Sequence, residues 1–98
     1  MKATFYTNRD NYYTLSCTLN GSTFSLTAAT DIELKHHKGS IKRSVSPAVF
    51  EADGGNVRLN LGEAGLDAGS YLMYVIVYTT SWSNGMVFGE TEIVIHSV

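Results

Sequence analysis

Apolar residues recur at every second position through most of this 98-residue chain, and that spacing narrows its fold more than any other feature. A period of two sends alternate side chains to opposite faces of an extended strand, whereas a helix needs a period near 3.6. Residues 12–19 (YYTLSCTL) set Leu15, Cys17 and Leu19 on one face and Thr14, Ser16 and Thr18 on the other. Phe24 and Leu26 alternate next, then Ile32 and Leu34, then Val57, Leu59 and Leu61 against Arg58 and Asn60. Turn residues punctuate these runs at Asn20-Gly21, Gly54-Gly55 and Asn84-Gly85. Asn-Gly supplies the positive φ angles that a tight hairpin demands. Only residues 63–69 (EAGLDAG) hold helix formers together, and their two glycines limit them to a turn. The pattern predicts an all-β fold, a sandwich of about seven short antiparallel strands.

The length suits one domain, residues 1–98, and neither a linker nor a repeat divides it. Apolar residues make up 44% of the chain, enough for a core. A net charge of −2 speaks against nucleic acid as partner, which calls for a broad basic face. Lys35, Lys38, Lys42 and Arg43 do cluster, with His36 and His37 among them. That cluster reads either as a solvated strand end or as a patch for an acidic partner. The single cysteine, Cys17, has no internal disulfide partner and lies in phase with Leu15 and Leu19, so it reads as a small core residue. Synthesis in a cytoplasm is expected, since the start (MKATFYTNRDNYY) has no apolar run of signal-peptide length. No stretch approaches the roughly 18 apolar residues of a membrane span, so no membrane partner is expected. The triplet Asn20-Gly21-Ser22 matches a glycosylation acceptor and reads as a turn.

The segment Leu66-Asp67-Ala68-Gly69-Ser70-Tyr71 resembles the tyrosine corner of immunoglobulin-like sandwiches, in which a tyrosine opening the sixth strand bonds back to the preceding connection. A strand ending in Asn-Gly, then residues 25–34 (SLTAATDIEL), a short basic segment, residues 55–61 (GNVRLNL), LDAGSY and a last hairpin follow in order. This layout resembles the small immunoglobulin-like domains of tailed-phage virion proteins, and among them the N-terminal domain of upper baseplate proteins. The likeness spans roughly residues 12–95. It implies an immunoglobulin-like β-sandwich with Tyr71 as its corner, located in the virion and binding other virion proteins or itself. Baseplate proteins continue into further domains, whereas this chain ends at Val98. A free-standing module of tail, head or fibre attachment is therefore expected.

Catalysis finds no support in the residues. His36 and His37 are adjacent, so on a strand they point apart and cannot share a metal. His96 has no Cys or carboxylate at zinc-ligand spacing. Gly54-Gly55 precedes a strand, so it is no phosphate cradle, and Glu90 and Glu92 read as solvated edge charges. Neither an enzyme nor a cofactor is expected.

Residues 71–78 (YLMYVIVY) break the alternation, because both faces are apolar. With Tyr71 inward as a corner, Met73, Val75 and Val77 follow it, and Leu72, Tyr74, Ile76 and Tyr78 face out. On the returning strand, setting Val87, Thr91, Ile93 and Ile95 inward leaves Met86, Phe88 and Val94 outward. An outward row of Leu72, Tyr74, Ile76, Tyr78, Met86 and Phe88 reads as a protein interface, unless a loop of the same chain covers it. The alternative is a carbohydrate- or host-surface-binding module, in which Trp82 at a loop tip, Tyr12 and Tyr13 stack on sugar rings.

Overall fold

The structure is a computed structural model that describes residues 2–19 and 21–97. Ten strands follow one another among the described residues: β1 (Lys2–Tyr6), β2 (Tyr13–Leu15), β3 (Cys17–Leu19), β4 (Ser22–Phe24), β5 (Asp31–His36), β6 (Gly39–Lys42), β7 (Phe50–Asp53), β8 (Asn56–Leu59), β9 (Gly69–Tyr78) and β10 (Met86–His96). Single turns of 3-10 helix at Leu26–Ala28, Pro47–Val49 and Leu61–Glu63 link them. The fold is all-β. Its strands form a five-stranded sheet in the order β1-β10-β9-β5-β6, a three-stranded sheet β2-β8-β7 and a hairpin β3-β4. Neighbours run antiparallel except β1 and β10, which pair in parallel from Lys2 opposite Glu92 to Tyr6 opposite His96.

One apolar core joins these parts. The five-stranded sheet contributes Phe5, Ile32, Leu34, Met73, Val77 and Ile93 from its inner face. Leu15, Phe50, Val57 and Leu59 answer from the three-stranded sheet, and Leu26, Val49 and Leu61 from the 3-10 turns. Burial of this kind contributes about 25 cal/mol per Å2 of apolar surface and is the main force holding the layers together. The Cys17 side chain is also in this core.

Several strand expectations need correction. The run at residues 12–19 is not one strand: it breaks at Ser16, sending β2 to the three-stranded sheet and β3 to the hairpin with β4. Asn20 of the first expected turn and the side chain of Leu19 lie outside the described residues. Leu26 sits in a 3-10 turn and not on a strand, with its amide bonded to the Gly55 carbonyl at 2.8 Å. Asn60 is buried instead of facing out, because β8 ends at Leu59. Its amide reaches the Val49 carbonyl at 2.8 Å, and its side chain takes the Asn11 amide at 3.3 Å and donates to Asp10 at 3.2 Å. Those bonds tie the segment after β1 to the end of β8.

Candidate functional site

The two long strands, β9 and β10, build the outer face of the five-stranded sheet. On β9 the inward positions Tyr71, Met73, Val75 and Val77 are all buried. The alternate positions look out: Leu72 is 48% exposed and Tyr74 44%, while Ile76 and Tyr78 are half-buried.

The returning strand departs from its expected phase. Gly89 and Thr91 pair with Val75 and Met73, yet Met86 and Val87 pair with Val77 and Ile76, so one extra residue is bulged out between Val87 and Gly89. A bulge of one residue inverts which side chains face the core. Val87, expected inward, is 58% exposed beside Ile76 on the outer face. Met86 shares the inner face with its partner Val77. Phe88 packs against the core, with its ring centroid 5.5 Å from Phe24 and 6.0 Å from Trp82. Met86 and Phe88 therefore leave the outer row, and Val87 takes their place. The glycine at position 89, with φ at 152°, is the signal in the sequence that marks such a bulge.

The outer apolar strip is flanked by charge of opposite sign. Lys35 on β5 lies beside Tyr74 on one side, and Glu90 on β10 lies beside it on the other. Glu92 stands next to Leu72 in the same way. Glu90 and Glu92 are thus part of this face and do not sit apart as edge charges. Lys35, His37, Leu72 and Tyr74 line a shallow cleft of about 290 Å3.

Nearer the Tyr78 end the face turns polar. Glu33 sits between Ile76 and Lys42 in the sheet and is only 7% exposed. Its carboxylate accepts the Tyr78 hydroxyl at 2.6 Å, and the Lys42 ammonium lies 5.8 Å from the centroid of the Tyr78 ring. The bond to Glu33, then burial, then the negative charges of Glu33 and Asp31 push the Tyr78 hydroxyl above its usual pKa. Asp31 in turn accepts the Ser44 hydroxyl at 2.7 Å and the Ser44 amide at 3.1 Å. Burial alone works against the Asp31 carboxylate, but these bonds, the Ile32 amide and the Arg43 charge together hold its pKa below the ordinary value.

The basic cluster is divided by the β5–β6 hairpin. Arg43 donates to the carbonyls of Leu26 at 3.4 Å and Ala29 at 2.5 Å, so its guanidinium holds a turn. Tyr71 is 2% exposed and its hydroxyl donates to the Asp67 carbonyl at 2.7 Å. His36 and His37 do not simply point apart into solvent: both rings lie 5.4 Å from that of Tyr71, one edge-on and one stacked. Burial, followed by the charges of His37 and Lys38, pushes the His36 pKa down. Among the described residues no three His, Cys, Asp or Glu side chains gather as a metal site would require.

The aromatic residues considered for sugar stacking fall in different places. Trp82 is half-buried, with its ring 5.4 Å from Phe24, and its backbone closes the turn through bonds with Thr79 and Gly85. Tyr12 is exposed just before β2, where the Arg58 guanidinium of β8 covers its ring at 4.3 Å and pairs with Glu51. Tyr13 is half-buried opposite Leu59 and packs on the core. No family model matches the chain, and no curated protein matches it.

Proposed function

We propose that this domain is an immunoglobulin-like module that works by protein–protein assembly, as a structural component of a tailed-phage particle. The observation that carries the assembly reading is the outer strip of Leu72, Tyr74, Ile76 and Val87. The inner positions of β9 already supply the core, and Leu72, Tyr74 and Val87 are left exposed beyond it, while the half-buried Ile76 packs against the turn at Gly85. On an antiparallel sheet with one wet face such a row is normally polar. An exposed apolar patch with an aromatic centre and a charged rim is the usual make-up of a protein interface.

The strand order supports the immunoglobulin-like part. The run β10-β9-β5-β6 follows the G-F-C-C′ order of variable-type domains, and β2-β8-β7 follows the B-E-D order of the opposing sheet. Tyr71 near the start of β9 occupies the corner place. Met73, two residues on, stands where antibody domains carry their second disulfide cysteine. Cys17 is free, so no disulfide at this position joins the layers. The phage assignment rests on the likeness of the segments around residues 25–34 and 66–71 to virion domains.

Charge introduced into the strip tests the assembly reading. Tyr74→Glu is expected to leave thermal unfolding within about 0.5 kcal/mol of the native protein, as exposed positions usually do. The same charge desolvated in a contact costs several kcal/mol, enough to remove a micromolar interaction. Particles assembled with this variant in place of the native protein should lack the domain, read by mass spectrometry of purified virions. Normal incorporation of the folded variant would sink the proposal.

A further inference from the structure

The outer strip has a handed charge pattern, and that pattern selects a partner. Across β9 the row through Tyr74 reads Lys35, Tyr74, Glu90, all exposed, with a base on one flank and an acid on the other. The next row repeats the order with His37 on the cleft side of Leu72 and Glu92 paired on the other. The remaining carboxylates on the basic flank are already engaged, Glu33 by the Tyr78 hydroxyl and Asp31 by Ser44. A flank of one sign beside a flank of the other is complementary to itself when it is turned over about the right axis.

Resting on the reading of this face as an assembly surface, we propose that its occupant is the same face of a second copy of this chain, related by a two-fold axis parallel to β9. Rotation about that axis keeps each row at its own height and exchanges left for right. Tyr74 then packs on Tyr74 of the other copy, Lys35 meets Glu90, and Glu90 meets Lys35. An isologous contact of this kind makes every favourable pair twice. A two-fold axis across the strands would instead set Lys35 on Lys35 and Glu90 on Glu90, which like-charge repulsion forbids. Two sheets stacked face to face with nearly aligned strands lie about 10 Å apart, which side chains the length of Tyr, Lys and Glu span between them. A strip of four apolar side chains is small beside a standard interface of roughly 800 Å2 per partner, so the dimer is a weak one that forms at high local concentration.

Analytical ultracentrifugation in reducing buffer from about 10 to 500 µM protein, a span matched to weak association, tests it. Native protein should shift from monomer to dimer across that range. Lys35→Glu alone puts acid against acid, and Glu90→Lys alone puts base against base, so each should weaken the dimer by about tenfold or more. An equimolar mixture of the two variants restores both opposite-sign contacts and should dimerise like the native protein. Circular dichroism on each variant checks that it is folded, and recovery in the mixture shows that each can still dock. Singles that dimerise as well as the native protein, or a mixture that stays monomeric, overturn the two-fold arrangement. A native protein monomeric throughout overturns self-association. In that case exclusion of Tyr74→Glu from particles leaves the assembly surface standing with another occupant, and its normal incorporation removes both.

Discussion

The Tyr71 hydroxyl holds the connection before β9 to the strand that follows, through its bond to the Asp67 carbonyl four residues upstream. Removing only that oxygen leaves the carbonyl of the exposed residue Asp67 without this partner. Tyr71→Phe should therefore cost about 0.5–1.5 kcal/mol, seen as a lower urea midpoint at an unchanged slope. Unchanged midpoints would mean the hydroxyl contributes nothing. Tyr78 makes the parallel case on the outer face, where its phenol is bound to the Glu33 carboxylate. Because its pKa is raised in the folded state, the folded protein keeps this proton where an unfolded tyrosine begins to lose it. The stabilisation is therefore complete below about pH 10 and is lost as pH rises through the higher folded value. Stability of the native protein should fall more steeply than that of Tyr78→Phe above about pH 10, and the two curves should converge. Parallel curves would show that the bond does not matter to the fold. Neither partner could be paired from sequence, since Glu33 and Tyr78 are 45 residues apart and meet only because β5 lies beside β9.

At the scale of the strand, the β10 bulge decides which side chains reach the outer face. Alternation counted back from Ile95, Ile93 and Thr91 describes the strand correctly to Gly89 and inverts beyond it. The inversion is local, and a glycine inside a strand run is the only mark it leaves in the chain. Gly89→Ala adds a side chain to a residue whose φ of 152° side chains rarely adopt, although no atom lies within 4 Å of the new carbon. It should cost about 1–2 kcal/mol from backbone strain alone. A neutral result in denaturant titration would show the bulge to be free to relax. The β9 phase, by contrast, was legible, because Tyr71 fixes it and every second residue after it is buried. The strand break at Ser16 was not, since the alternation runs through it unchanged. Cys17, just past that break, keeps its inward place, and burial raises its thiol pKa. Alkylation of the native protein at about pH 8 should be much slower than that of the denatured chain. Equal rates would place the thiol at the surface.

At the scale of the molecule, period-two patterning identified the all-β class but not how the strands divide among sheets. β1 escaped notice because its few inward positions, Ala3 and Phe5, carry too short a pattern to read. Its place became clear only from its parallel pairing with β10. That pairing has a mechanical meaning. The chain enters β1 at Lys2, opposite Glu92, and leaves β10 at His96, opposite Tyr6. A pull applied to the two ends therefore slides the strands past each other along their length. The whole ladder, with the Thr7 amide bonded to the His96 carbonyl at 2.9 Å beyond it, is loaded at once and cannot be peeled open bond by bond. Parallel bonds are evenly spaced, so the load is shared. Forced unfolding is governed by the unfolding rate, and a shared load keeps that rate low. By the alternation that aims the Thr7 amide at β10, the Ala3 amide also faces it, so Ala3→Pro removes one backbone donor from this ladder. In single-molecule stretching from residues 2 and 97 it should lower the rupture force sharply. An unaltered force would place the mechanical resistance elsewhere. A domain fastened this way behaves as a clasp, able to sit in a line of tension without lengthening.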